Sequence, residues 1–176
     1  MEEMGAYYRQ PVAYISTKVN PQREASARNL QYALEQAGIT VLNPYDITSL
    51  DLPKEQIWND TAMQCWEMIR ACDAVVVCVE SDASDFGRDC AAEFGFATGL
   101  GRAVLTFTTT PPESAVERVE ESPKEPAGDI RFIQSFFMRS RIFNDTDMGR
   151  LAYAVHAAAA YREEVQGLDP DPFLMA

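Results

Sequence analysis

Apolar positions along the chain follow two alternating rhythms. Short runs rich in β-branched residues are separated by stretches in which apolar residues return every three or four positions. Pro11-Val12-Ala13-Tyr14-Ile15-Ser16 is the first such run and predicts a strand. From Gln22 to Ala37, Ala25, Leu30, Ala33, Leu34 and Ala37 approximate one face of a helix, and Gly38 supplies its stop. Ile39-Thr40-Val41-Leu42 predicts a second strand, halted at Asn43-Pro44, with Ile47 to Pro53 as loop. Trp58 to Arg70 predicts a helix whose apolar surface comes from Met63, Trp66, Met68 and Ile69. Ala74 to Val79 is apolar throughout, as expected of a central parallel strand buried on both faces.

A loop, Glu80 to Gly87, leads into a small-residue helix from Cys90 to Gly99, and Ala103 to Phe107 predicts another strand. Thr108 to Asp129, with four prolines and many charges, predicts a long surface loop. Arg141-Ile142-Phe143 fits a last short strand, and Asp145 to Glu164 a closing helix capped by Asp145 or Thr146. Strands alternating with helices imply right-handed βα units. The expected architecture is α/β: a flavodoxin-like single domain, with a five-stranded parallel sheet and helices on both faces. Ligands of such sheets bind beyond the carboxyl ends of the strands. Ser16 to Asn20, Asn43 to Thr48 and Glu80 to Asp89 therefore mark the candidate site. No repeat or internal boundary divides residues 1–176, and the ends, 1–10 and 167–176, are expected to be flexible or docked on a partner.

Composition narrows the function. The net charge of −12 repels a phosphate backbone, which disfavours nucleic acid and anionic membranes as partners but leaves room for a small nucleotide. Cys65, Cys72, Cys78 and Cys90 form no CxxC pair, and His156 is the single histidine, so neither a metal nor a cofactor is expected. Cys72 and Cys78 read as small core residues. No targeting segment opens the chain and no run reaches membrane-spanning length, so the expected location is cytoplasmic. Gly99-Leu100-Gly101 ends a helix instead of opening one and is no dinucleotide fingerprint.

The candidate chemistry lies after the central strand. Asp82, Asp85, Asp89 and Glu93 fall within 12 residues at the ligand-binding edge. Glu93 stands among Ala91, Ala92, Gly95 and Ala97, small residues that let a helix approach the sheet and partly desolvate its carboxylate. The plainer use of these acids is to cap the helix. Asp73, just before a buried strand, reads as a turn acceptor, and Trp58 and Trp66 as packing between helix and sheet.

Several segments in order resemble the nucleoside 2-deoxyribosyltransferase family: Ala13-Tyr14-Ile15-Ser16, Pro44-Tyr45-Asp46, Cys72-Asp73-Ala74-Val75-Val76, Asp85-Phe86-Gly87, Ala92-Glu93-Phe94-Gly95-Phe96-Ala97 and Leu100-Gly101-Arg102-Ala103-Val104-Leu105. The resemblance spans Val12 to Phe107. It implies a flavodoxin-like homo-oligomer that exchanges the base of a 2′-deoxynucleoside. Glu93 is then the nucleophile that forms a deoxyribosyl ester, and Tyr14 positions it. Asp85 binds the sugar hydroxyls, and Asp46 lies near the base and helps move its proton. The logic is that of retaining glycosidases, with a base as acceptor.

Three departures from the family pattern matter. The loop aspartate is expected six residues before the glutamate, where Gly87 stands; Asp85 is eight before and Asp89 four, so a two-residue insertion keeps Asp85 with the catalytic residues, and Gly87 and Asp89 are substrate-binding candidates. Cys65 occupies a position where an acid or amide is usual. The family's Asn-Leu-Met segment has no clear equal, and Gln134 and Met138 lie about where it belongs. Phe132, Ile133, Phe136, Phe137 and Met138 crowd into seven residues and fit an interface between copies. A second reading is hydrolysis of a nucleoside 5′-monophosphate, with Ser16, Thr17, Lys18, Arg23, Ser84 and Arg88 as phosphate contacts. A third is a non-catalytic nucleotide sensor on the same scaffold.

Overall fold

The computed structural model describes residues 9–17, 19, 21–47, 54–78, 88–108 and 141–166. Five strands, β1 (Val12–Ser16), β2 (Thr40–Leu42), β3 (Ala74–Cys78), β4 (Ala103–Phe107) and β5 (Arg141–Phe143), form one sheet in the order β2-β1-β3-β4-β5. Every pairing is parallel. This is the flavodoxin-like order, and its strand order reverses between β1 and β3. The register sets Tyr14 beside Val75 and Ser16 beside Val77, so the two carboxyl ends meet at the switch point.

Among the described residues, four α-helices connect and cover the sheet: α1 (Pro21–Gln36), α2 (Lys54–Ala71), α3 (Arg88–Gly99) and α4 (Met148–Gln166). Strand periodicity divides the core in two. Ala13, Ile15, Ala74 and Val76 face one way and pack with Ala27, Leu30 and Leu34 of α1 and Leu151 and Val155 of α4. Tyr14, Val75 and Val77 face the other way and pack with Cys65 and Ile69 of α2 and Ala97 of α3. The buried stripe of α1 is centred on Ala27, Leu30 and Leu34, while Ala25 and Ala37, expected on it, are exposed.

Two glycines close helices in the left-handed region. Gly38 (φ 77°) follows α1 and lets the Ile39 amide reach back to the Leu34 carbonyl at 3.2 Å. Gly101 (φ 69°) follows α3, with the Arg102 amide on the Ala97 carbonyl at 2.9 Å. The start of the closing helix departs from expectation. A 3-10 turn, Asp145–Asp147, precedes α4, and its cap is Asn144, whose side chain accepts from the Thr146 amide at 3.0 Å. Asp145 and Thr146 lie inside that turn, one and two residues too late to cap it.

Trp66 also departs. It is 40% exposed and stacks on Phe96 of α3 at 5.1 Å, with the Arg70 guanidinium over the far ring, so it joins two helices instead of packing on the sheet. The Trp58 side chain lies outside the described residues. Cys72 is buried with its thiol donating to the Ile69 carbonyl, and burial pushes that thiol up to about 12. Cys78 is half-buried at the end of β3.

Candidate active site

The site begins with the pleat of β1. Residues two apart share a face, so Tyr14 and Ser16 both project toward α2 and α3. From α3, one turn into the helix, Glu93 reaches back across the strand ends. The Tyr14 hydroxyl donates to Glu93 Oε1 at 2.8 Å, and the Ser16 hydroxyl donates to Oε2 at 2.6 Å. Each carboxylate oxygen is therefore held by one hydroxyl, both from the same face of the same strand end. Both donors are fully buried, whereas Glu93 keeps part of its surface open to solvent.

A third side chain closes the group from α2. The buried Cys65 thiol lies close enough to Tyr14 and Glu93 to interact with both, and burial pushes it up to about 11, so it stays a neutral thiol. Cys65 comes inward because α2 turns one stripe to the sheet, Cys65, Met68 and Ile69 at helical spacing, followed by Cys72. That spacing is the sequence signal for its burial; its nearness to Glu93, 28 positions on, has none.

Among the described residues no cation contacts this group, and its electrostatics follow from that. Burial raises the Glu93 carboxyl above its usual value of 4.5, and the bonds from Ser16 and Tyr14, with the nearby Cys65 thiol, pull back toward ionisation without cancelling the rise. Asp89, one turn earlier in α3, adds a like charge that raises it further. The Tyr14 hydroxyl is driven upward by burial and then by the Glu93 charge, so it remains a protonated donor.

Other expected site residues fall elsewhere. Asp46 sits in a 3-10 turn after β2, is 45% exposed, and pairs with Arg28 of α1 instead of joining the Glu93 cluster. Asp89 lies in the first turn of α3, inside the helix, and is exposed; it is not the cap. Ser16, expected at the substrate, is fully buried with its hydroxyl committed to Glu93. Asp85, Gly87, Gln134 and Met138 lie outside the described residues, as do Lys18, Ser84 and the apolar cluster from Phe132 to Met138. Asp73, expected as a turn acceptor, instead makes long-range contacts at the opposite edge of the sheet, taking the Val12 amide at 2.9 Å together with two arginines, because it sits where β1 and β3 begin side by side. Among the described residues, no group of three metal-ligating side chains converges, and no helix is long and apolar enough to cross a membrane.

The sequence profile of nucleoside 2-deoxyribosyltransferases matches residues 13–126, which include every residue of this cluster. The chain belongs to the nucleoside 2-deoxyribosyltransferase family. Solved structures agree in fold. A 2-deoxyribosyltransferase from the psychrotolerant bacterium Bacillus psychrosaccharolyticus superposes with a TM-score of 0.56 at 16% identity, over 80% of this chain and 90% of that one. A conserved protein from Enterococcus faecalis V583 gives a TM-score of 0.56 at 15% identity, over 85% of this chain and 99% of that one. No curated protein matches the sequence. Within the deoxyribosyltransferase family, then, this chain places a part-buried glutamate under two hydroxyls and a thiol at the switch point of its sheet.

Proposed function

We propose that the protein cleaves the N-glycosidic bond of a 2′-deoxynucleoside and transfers the deoxyribosyl group to another base through an ester on Glu93. The observation that carries this reading is the pair of hydroxyls, Tyr14 on Oε1 and Ser16 on Oε2, that fix a part-buried carboxylate at the ligand-binding edge. A carboxylate oxygen has two lone pairs, so one remains for attack when the other accepts a hydroxyl. In the first step a Glu93 oxygen bonds to the anomeric carbon, and the electron pair of the C–N bond leaves with the base. The developing oxocarbenium charge is met by an anion whose orientation is already set. In the second step a nitrogen of the incoming base attacks the same carbon from the opposite face and releases the carboxylate. Two inversions give retention.

Asp85 is the proposed ligand of the sugar hydroxyls, with Gly87 beside it, Asp89 is proposed to act through its charge on Glu93, and Gln134 and Met138 are proposed contacts from a second copy of the chain. Asp46 is proposed to act near the base, which requires it to exchange its Arg28 pair for substrate. The assembly is then a homo-oligomer in the cytoplasm, and sedimentation showing only monomer at micromolar concentration would contradict it. The hydrolytic reading is weakened by Ser16, one of its phosphate contacts, which is buried on Glu93.

The deciding experiment incubates the protein with deoxyinosine and free adenine, with and without a 5′-phosphate on the donor. Deoxyadenosine is the expected product, and acid-quenched protein should carry one deoxyribosyl group on the peptide that contains Glu93. Free deoxyribose in place of a new nucleoside would replace transfer by hydrolysis. No cleavage of either donor would leave a binding protein.

A further inference from the structure

Ser16 is the least expected member of the cluster. As the last residue of β1 it stands where loops begin and ligands bind, a position that suits a substrate contact. Its side chain nevertheless has no solvent-accessible surface, and its hydroxyl lies 2.6 Å from Glu93 Oε2. Tyr14 alone leaves the carboxylate free to rotate about its own axis, because one bond to Oε1 fixes a point and not a plane. A second bond to Oε2 fixes the plane.

We propose that Ser16 is a positioning residue for the reaction, one that locks the plane of the Glu93 carboxylate and favours its ionised form. The inference rests on the reading of Glu93 as the nucleophile. Two features of the surroundings make Ser16 decisive. Among the described residues, the groups that act on Glu93 are neutral donors or acidic: Tyr14 and Ser16 from β1, Cys65 from α2 and Asp89 from α3. No guanidinium or ammonium is in that set, and within it the hydroxyls do most to favour the ionised form. Of these, Ser16 opposes the effect of burial more strongly than Tyr14 or Cys65 does. Its bond is also the shorter of the two hydroxyl contacts.

The test compares the parent with Ser16→Ala and Ser16→Cys, two substitutions of similar volume, the second keeping a weak donor. The first measurement needs no substrate: the Glu93 side-chain carboxyl is followed by carbon-13 NMR as a function of pH. Removing a donor that favours the charged form should move the Glu93 titration upward by about one pH unit in Ser16→Ala, with Ser16→Cys between it and the parent. The second measurement is steady-state kinetics with deoxyinosine and adenine. In Ser16→Ala, kcat should fall about tenfold, with KM within about twofold of the parent. The acid limb of kcat should move with the titration.

An unshifted Glu93 titration in both variants overturns the proposal. So does a rise in KM with kcat unchanged, which would make Ser16 a substrate contact. Should Ser16→Ala fail to fold, Ser16→Cys carries both measurements alone. Failure of the underlying mechanism looks different: Glu93→Gln would then retain turnover, whatever Ser16 does to the titration.

Discussion

The two ends of the sheet each bury a carboxylate, and the two are treated in opposite ways. At the amino edge, Asp73 has a side chain with no solvent exposure. It accepts from Arg9 Nη1 and the Val12 amide, both at 2.9 Å, and from Arg162 Nη1 at 3.0 Å, with a second Arg9 nitrogen on its other oxygen. Burial pushes its carboxyl upward, but the Arg9 bond, the Val12 amide and the guanidinium charges outweigh that and hold it below the usual 3.8. At the carboxyl edge, Glu93 also has several donors, yet burial wins and its carboxyl stays raised. The difference is charge. Hydroxyls and a thiol orient a carboxylate without neutralising it, whereas two guanidiniums cancel its field. An anion meant to meet a developing cation on a sugar needs the first arrangement. An anion meant to tie Arg9 at one end of the chain and α4 at the other to the foot of β3 needs the second.

Removing the two charges in turn should separate these roles. Glu93→Gln keeps the size and one acceptor but cannot form the ester. Turnover should fall by at least about three orders of magnitude while the circular dichroism spectrum stays that of the parent. Near-parent turnover would end the covalent reading.

Asp73→Asn should do the reverse. It leaves Arg9 and Arg162 without their shared anion, although both reach solvent and Arg9 keeps Glu163 at 3.1 Å. A loss of about 2 kcal/mol in unfolding free energy is expected, below the value for fully buried pairs because water can reach the arginines. Its kcat should lie within about twofold of the parent. Denaturant melts and kinetics on the same preparation check both halves.

How readily each end could be read from sequence differs too. The strands announced themselves because apolar runs such as Ala74 to Cys78 are buried on both faces, and βα chirality narrows the orders open to them without choosing one. Glu93 was legible from its small-residue helix and from the family pattern, and Tyr14 from the same pattern. The bond from Ser16 was not, because it joins positions 77 apart; only the two-residue period linking it to Tyr14 hinted at a shared face. The partners of Asp73 were equally hidden, Arg9 lying 64 positions before it and Arg162 89 after. Trp66 misled because an aromatic in an amphipathic helix usually faces the core, and here a second helix offered Phe96 instead. Asn144 was missed as a cap because the 3-10 turn starts the closing segment one residue earlier than the acids suggest.

Acid should pull the two ends apart by a smaller amount. A carboxyl held low in the folded protein contributes stability above its unfolded value and loses it as pH falls through the folded one. The Asp73 contribution is therefore lost below pH 3.8. Glu93 is raised, so the folded protein binds the proton more tightly, and stability declines as pH climbs from 4.5 through its folded value. Glu93→Gln removes that decline. At neutral pH its melting temperature should equal or exceed the parent's, by about 1 kcal/mol of stability at most, and the gap should close toward pH 4. A destabilised Glu93→Gln at neutral pH would contradict the sign.

The smallest effect concerns Asp89, whose charge acts on Glu93 across one turn of α3. As a first-turn acid it also interacts favourably with the helix N-terminus, an effect of about 0.3–1 kcal/mol for an exposed side chain. Asp89→Asn keeps the shape and removes the charge, so the two influences separate. Stability should fall within that range, less than the loss of a true cap by Ala. Glu93, relieved of a like charge, should ionise more easily, and the acid limb of kcat should move down by about 0.3 pH unit. Because Asp89 is exposed, salt should screen the effect: at about 1 M ionic strength, where the Debye length is about 3 Å, parent and variant profiles should converge. The same salt should leave the Ser16→Ala profile displaced, since a buried hydrogen bond is not screened. An Asp89→Asn profile that moves upward, or that ignores salt, would mean Asp89 touches the substrate and does not act through the field at Glu93.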